Sequence, residues 1–187
     1  MNYFISDTHF GHEGCLIFDD RPFMNIKDHD EAIIKNWNNT VEMDDDVYLL
    51  GDISYYNDTK TIEIFNNLNG NIHLIVGNHD GRLLKNRELR KRFVEITNYK
   101  ELFIDKERSI VLCHYPIPCF KDRYYGWLHF YGHVHNSKEW KLMEKIKNEL
   151  DDACEMYNVG AMMDYIKYTP RTMEEIIGHS FKKDPQC

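Results

Sequence analysis

Short apolar runs that end in aspartate, asparagine or histidine are the feature that most restricts how this sequence can fold. In four of five cases the polar motif begins within two residues of the end of a run, and the fifth follows Leu112-Cys113. Loops that leave the carboxyl ends of parallel strands meet at one edge of a sheet. The pattern therefore predicts one shared site. The motifs are Asp7-Thr8-His9, Gly51-Asp52, Gly77-Asn78-His79-Asp80, His114 and Gly132-His133-Val134-His135.

The order of the predicted elements indicates an α/β fold. Helices between the early strands and a hairpin later favour a sandwich with mixed sheets. No internal repeat or boundary divides the chain, so we expect a single domain over residues 1–187. Strands are predicted at residues 3–5, 47–50, 72–76, 102–104, 110–113 and 128–131. Helices are predicted from about residue 28 to 40, 58 to 70, 82 to 92, 137 to 150 and 170 to 178.

Composition narrows the function classes. The net charge is −8, so broad non-specific attraction to nucleic acid is not expected. The five cysteines show no C-x-x-C spacing, which indicates reduced thiols. The first residues are predicted to form a strand, and they lack the basic and then apolar pattern of a leader peptide. No apolar stretch reaches the length of about 18 residues that a membrane helix needs. We expect a cytoplasmic protein without a membrane partner.

The motifs combine the ligands that two adjacent divalent cations require. Imidazole suits Zn, Fe, Ni and Mn, and carboxylate adds hard oxygen ligands and negative charge. Any one of these histidines could be a structural, hydrogen-bonded residue, and a lone H-x-H motif is weak. The Gly77–Asp80 motif is more specific, because Gly77 would let the chain turn sharply and point Asn78 and His79 into one cavity. Together the motifs favour a hydrolase of phosphate esters.

In this order the motifs resemble those of the calcineurin-like metallophosphoesterases, whose pattern is D-x-H, G-D, G-N-H-[DE], H, G-H-x-H. The similarity covers residues 3 to 135. Two later segments, Asn158-Val159-Gly160 and Tyr168-Thr169-Pro170, look like the end of the small bacterial and phage branch. The resemblance implies a four-layer α/β/β/α sandwich with two mixed β-sheets.

The resemblance also implies roles for individual residues. Asp7, His9 and His135 would hold one metal, and Asp52 would bridge it to the second. The second metal would be held by Asn78, His114 and His133.

Two further residues of the Gly77–Asp80 motif would act without binding metal. His79 would lie near the phosphate and act as general acid or stabilise the transition state. Asp80 would hydrogen-bond His79 and set its tautomer. The implied reaction is hydrolysis of a phosphodiester or phosphomonoester by a hydroxide that bridges two divalent ions. The candidate ions are Mn²⁺, Fe²⁺, Zn²⁺ and Ni²⁺, with Mn²⁺ favoured.

Residues outside the motifs have open roles. His12 could approach the substrate or form a surface hydrogen bond. Arg21, Arg82 and Arg123 could clamp a phosphate, although a solvated surface position is the simpler expectation for each. Four aromatic residues could stack on a base or pack beside the site, and the stripe of Leu142, Ile146 and Leu150 is expected to be core. The aromatic residues are Tyr55, Tyr56, Tyr115 and Trp127.

Two alternatives to a small-substrate phosphoesterase stay open. One is a catalytically silent scaffold for protein binding, although silent members usually lose His79 or a ligand. The other is a nuclease for longer strands, which would need a basic groove. The protein serine/threonine phosphatases continue G-D with an aspartate and then R-G, whereas here Asp52 is followed by Ile53-Ser54-Tyr55-Tyr56, and the later tetrapeptide is G-N-H-D and not G-N-H-E. We expect a small phosphate ester, nucleotide or nucleic-acid end as substrate.

Overall fold

Two mixed β-sheets lie at the centre of the protein. The computed structural model describes residues 1–106, 108–150 and 154–180. The described residues form nine strands: β1 (Asn2–Ile5), β2 (Asp46–Leu49), β3 (Asn71–Ile75), β4 (Phe93–Thr97), β5 (Tyr99–Phe103), β6 (Ser109–Cys113), β7 (Leu128–Tyr131), β8 (Met156–Asn158) and β9 (Arg171–Thr172).

Both sheets combine parallel and antiparallel strands. The first has the order β4-β3-β2-β1-β9, in which β1 to β4 are parallel and β9 is antiparallel to β1. The second has the order β5-β6-β7-β8, in which β5 and β6 are antiparallel and the others parallel. The predicted hairpin is β5–β6. The carboxyl ends of β1, β2, β3, β6 and β7 lead into the five polar motifs.

Six α-helices flank the sheets within the described residues. Three of them begin at side-chain caps: the Asn25 side chain accepts from the N–H of Asp28, the Asn57 side chain from that of Lys60, and the Asn86 side chain from those of Glu88 and Leu89. The helices are α1 (Glu13–Phe18), α2 (Ile26–Thr40), α3 (Asp58–Asn66), α4 (Arg87–Arg90), α5 (Lys138–Leu150) and α6 (Met173–Ser180). Among the described residues, none of these helices has the length and apolar character needed to cross a bilayer.

The core joins the two sheets face to face. Phe4 of β1 meets Phe130 of β7 edge-on, with ring centroids 4.9 Å apart. Ile33 and Trp37 of α2 belong to this core. On the outer face of the second sheet, a smaller cluster around Tyr131 packs against α5. The order helix, sheet, sheet, helix confirms the predicted four-layer α/β/β/α sandwich.

Three local predictions were wrong. The helix predicted over 82–92 is a 3₁₀ turn at Leu83–Lys85 followed by α4, because the Asn86 side chain caps a new helix start. Thr169 and Pro170 precede β9, and the last helix begins only at Met173. The stripe predicted as core on α5 is not core: no α5 side chain is buried, Trp140 and Leu150 are partly buried against the smaller cluster, and Leu142 is exposed.

Candidate metal centre

The motif residues have unusual backbone conformations. The φ angles of five candidate ligands lie in the left-handed region, which favours glycine. Each such residue costs on the order of 1 kcal/mol or more and persists only where its surroundings impose it. Strain is therefore concentrated where the strands end. The five are Asp7 (54°), His9 (48°), Asp52 (54°), His133 (69°) and His135 (49°).

Asp7, His9 and His135 form one cluster of ligand atoms, called site 1 below. Their ligand atoms lie within 4.8 Å of one another. The Nε2 atoms of His9 and His135 are 3.3 Å apart, and Asp7 Oδ1 is 3.5 Å from the Nε2 of His135. This arrangement can hold one cation.

Asn78, His114 and His133 converge in the same way beside it and are called site 2. Asn78 Oδ1 lies 3.0 Å from His114 Nε2 and 2.8 Å from His133 Nδ1. Asp52 stands between the sites, with Oδ2 3.6 Å from His114 Nε2 and 3.8 Å from His9 Nε2. The structure thus brings together all seven predicted metal ligands. Asp7 also groups with Asp52 and His114, so both carboxylates face both sites.

Hydrogen bonds orient the imidazole rings. The Nδ1 of His114 bonds the carbonyl oxygen of Leu50 at 2.6 Å, which leaves Nε2 for a cation. The Nδ1 of His135 lies 2.8 Å from the Asp19 carboxylate, again leaving Nε2 free to coordinate. The Nδ1 of His9 lies 3.1 Å from that of His12.

The electrostatics fit a bound cation. Asp7 and Asp52 are buried, and their ionic partners are histidine nitrogens. Burial raises the pKa of Asp52, and the charge of Asp7 raises it further, against the opposing effect of His114. Burial also lowers the pKa of His9, which favours its neutral, coordinating form. Buried carboxylates are costly unless a positive charge compensates theirs, and a bound cation would supply that charge.

The pKa values of three other histidines in or beside the centre shift in different directions. Burial and the charge of His114 lower the pKa of His133, and burial lowers that of His12. The pKa of His135 moves the other way: burial lowers it, but the Asp19 hydrogen bond and the charges of Asp7 and Asp19 raise it more.

Glycine at position 77 leaves room for Asp52. A Cβ atom on Gly77 would lie 2.5 Å from the backbone nitrogen of Asp52 and would clash with its Oδ1. The chain does turn here, because the N–H of Asp80 bonds the carbonyl oxygen of Gly77 at 3.4 Å. The φ of Gly77 lies outside the left-handed region, so the close approach of Asp52 is what requires glycine at this position. Gly132 has the same use, because a Cβ there would clash with Asp7 Oδ2.

His79 lies at the rim of the centre. Its side chain is 48% exposed, and Nε2 is 3.9 Å from Asp52 Oδ2. Its backbone N–H donates to Asp52 Oδ1 at 2.9 Å. A molecule bound at the two sites would therefore lie within reach of this imidazole.

Asp80 does not make the predicted contact. Its buried carboxylate accepts the backbone N–H groups of Gly77 at 2.7 Å, Asp52 at 3.1 Å and Ile53 at 2.9 Å, in place of the His79 imidazole. Asp80 thus holds two motif loops together, and a catalytic role through the His79 tautomer has no support in the geometry.

The arginines with open roles lie in different environments. Arg21 and Arg123 are buried, against the expected surface position. Arg21 bonds Asp19, and Arg123 lies over the Tyr124 ring at 4.0 Å. Only Arg82 has the expected exposed side chain; it bonds Asp58 and the carbonyl oxygen of Tyr56.

Aromatic rings surround the centre. Tyr55 stacks on His12 at 3.8 Å, and Tyr115 lies 4.7 Å from the His133 ring. Phe18, which is 57% exposed, lies 5.5 Å from the His135 ring.

The other two aromatic candidates pack elsewhere. Tyr56 packs against the main core, and Trp127 contacts Phe103 and Lys121. The sequence did not predict a role for Phe18 or Asp19, because α1 is too short to show a helical apolar pattern and has one buried residue, Cys15.

Several known proteins are similar to this chain in sequence, and one solved structure is similar in fold. A solved structure from Aquifex aeolicus, described as a protein of unknown function, has a TM-score of 0.71 and 29% identity, with 96% of this chain and 98% of that chain covered. An uncharacterized protein from Methanocaldococcus jannaschii is 33% identical over 159 residues, covering 83% of this chain and 82% of that protein. The Gene 66 protein of Mycobacterium phage L5 is 34% identical over 96 residues, covering 48% of this chain and 44% of that protein.

A family model described as calcineurin-like phosphoesterase matches residues 3–160. That range contains all five motifs and the whole candidate centre. This chain belongs to the calcineurin-like phosphoesterase family.

Proposed function

We propose that the protein hydrolyses a phosphodiester or phosphomonoester of nucleotide type with the help of two divalent cations. The observation that carries the proposal is the position of Asp52 between two clusters of ligand atoms. Its Oδ2 lies 3.8 Å from a nitrogen of site 1 and 3.6 Å from a nitrogen of site 2.

The donor set selects the kind of cation. Each site combines imidazole nitrogens with a carboxylate or amide oxygen, which suits Mn²⁺, Fe²⁺, Zn²⁺ and Ni²⁺ better than a purely oxygen-binding ion. We favour Mn²⁺. Two divalent ions would exceed the charge of Asp7 and Asp52, leaving a net positive site on a protein of net charge −8.

Two such cations, when bound, would supply charge that binds the phosphate and would lower the pKa of a water, so that hydroxide is available to attack phosphorus near neutral pH. The residues of this chain then divide the remaining work. Asp52 holds the two sites at a fixed separation. His79, half exposed at the rim, donates a proton or a hydrogen bond to the leaving oxygen.

The rings around the centre support a substrate with an aromatic group. Phe18 and Tyr55 lie beside site 1, and Tyr115 lies beside site 2, each partly exposed. A nucleobase attached to the phosphate could stack on one of them, because every base has an aromatic face. This supports a nucleotide or a nucleic-acid end as the substrate.

The test is hydrolysis by protein first stripped of metal and then supplied with Mn²⁺, Fe²⁺, Zn²⁺ or Ni²⁺ separately. The substrates are aryl phosphodiesters and monoesters, linear dinucleotides, and 3′,5′- and 2′,3′-cyclic nucleotides. We expect no turnover without metal and restored turnover with Mn²⁺. Full turnover of thoroughly stripped protein would contradict the mechanism, and no turnover with any metal would favour the binding scaffold.

A further inference from the structure

Arg21 lies buried next to site 1 and binds the backbone of its loop. Its Nη2 donates to the carbonyl oxygen of Asp7 at 3.1 Å, and its Nη1 reaches that of Thr8 at 3.4 Å. The flanking ligands Asp7 and His9 both have left-handed φ angles. The guanidinium therefore helps to impose the strained conformation that aims these two side chains.

The same guanidinium also reaches the third ligand of site 1 through Asp19. The Nε and Nη2 of Arg21 bond Asp19 Oδ2 at 2.9 and 2.8 Å. The two Asp19 oxygens lie 2.9 and 2.8 Å from His135 Nδ1. The Asp19 carboxylate is almost fully buried, so its charge is balanced by Arg21 and its remaining capacity is directed to His135.

We propose that Asp19 and Arg21 are positioning residues that hold all three ligands of site 1 ready for a cation. This rests on the proposed function. Asp19 keeps the proton of His135 on Nδ1, so that the lone pair of Nε2 is left to bind a cation. Arg21 holds Asp19 and, through the two carbonyl oxygens, the loop of Asp7 and His9.

Site 2 depends on different partners. The Nδ1 of His114 bonds the carbonyl oxygen of Leu50, and the Nδ1 of His133 lies 2.8 Å from Asn78 Oδ1. Asp19 and Arg21 bond neither imidazole. Disturbing Asp19 is therefore expected to weaken site 1 much more than site 2.

The test compares metal binding by the full-length wild type, Asp19→Asn and Asp20→Asn. Asp20 is the adjacent, exposed aspartate, and Asn tolerates its left-handed φ. Zn²⁺ affinity is measured by competition with a chelating dye, and the number of bound ions by elemental analysis. His9→Ala marks which binding step belongs to site 1.

We expect two tight ions in the wild type and in Asp20→Asn. The binding step that His9→Ala impairs is the one assigned to site 1. In Asp19→Asn we expect the Zn²⁺ affinity of that step to fall about 10- to 100-fold, and the affinity of the other step to stay unchanged. Unchanged affinity at both steps, or an equal loss at both, would overturn the proposal. Wild type that binds no divalent ion would instead refute the proposed function itself.

A second measurement uses the wild type, so it does not depend on whether an Asp19 variant folds. In Zn²⁺-loaded wild type labelled with ¹⁵N-histidine, we expect a slowly exchanging proton on Nδ1 of His135, with a spectrum of His135→Gln assigning the signal. A His135 Nδ1 without a proton would overturn the role of Asp19 in selecting the tautomer.

Discussion

Asp80 accepts a hydrogen bond from the backbone N–H of Asp52 at 3.1 Å, so the Asp80 carboxylate holds the loop that presents the Asp52 carboxylate. Asp80 also accepts the N–H groups of Gly77 and Ile53. A buried side chain that satisfies three backbone donors fixes the separation of two motif loops. The bridging position of Asp52 is built by backbone contacts as well as by its own side chain.

Replacing Asp80 with Ala is expected to lower the free energy of unfolding by about 3 kcal/mol, because buried N–H groups lose their acceptor. Chemical denaturation of the variant and the wild type measures the difference. Asp44→Asn, at an exposed aspartate, is the control and should change stability by less than about 0.5 kcal/mol. Equal stability of Asp80→Ala and the wild type would refute this role.

Replacing His79 with Gln is expected to reduce kcat about 10²- to 10³-fold, because the leaving oxygen loses a proton donor. Two bound metal ions should remain, since the side chain stands at the rim with Nε2 3.9 Å from Asp52 Oδ2, and the hydrogen bond to Asp52 comes from the backbone N–H. Steady-state kinetics with elemental analysis of the same preparation separate the two effects. Loss of one ion in this variant would show that His79 is a ligand.

Replacing Gly77 with Ala is expected to displace Asp52 and to weaken both metal sites, because the added Cβ would clash with the Asp52 carboxylate and backbone. Overpacking of this kind costs about 1–3 kcal/mol of stability. Gly81→Ala is the matched control, since a Cβ there meets no atom within 4 Å. Metal titration and thermal denaturation of both variants test the contrast, and equal behaviour would count against the tight packing of Asp52.

His129 is expected to make the fold sensitive to acid. Burial lowers its pKa to about 4, and its neutral ring bonds the carbonyl of Val111 and the N–H of Ile117. In the unfolded chain the His129 imidazole binds a proton near pH 6.5. The contribution of the neutral, buried ring to the free energy of unfolding is therefore complete above pH 6.5 and is lost as the pH falls towards 4. The loss approaches about 3 kcal/mol. Unfolding free energies of wild type and His129→Gln between pH 7 and 4.5 should converge; parallel curves would contradict the assignment.

The sequence predicted the metal-ligand residues better than the residues that hold their loops in place. Strand-end motifs identify Asp7, Asp52 and His114 because parallel strands force their loops together. The contacts of Asp80 with backbone N–H groups leave no pattern in sequence, since they depend on how two loops pack. The burial of Arg21 likewise depends on a carboxylate and carbonyl groups that only the folded loops provide.

The fold predictions failed where periodicity is weak. Phe93–Thr97 (β4) is an edge strand with one buried residue, directly after a charged segment, so no alternation marks it. The predicted helix over 82–92 had good helix formers, but the cap at Asn86 and the strand that follows prevent a continuous helix. Long or fully buried elements such as α2 and Ser109–Cys113 (β6) gave clear patterns.

The central claim is that one carboxylate, Asp52, joins two cations in one centre. Electron paramagnetic resonance of the protein titrated with Mn²⁺ tests it most directly. We expect two equivalents to bind and to give the spectrum of a spin-coupled pair, with the coupling lost in Asp52→Asn. A single bound equivalent, or two ions with uncoupled signals in the wild type, would contradict the account.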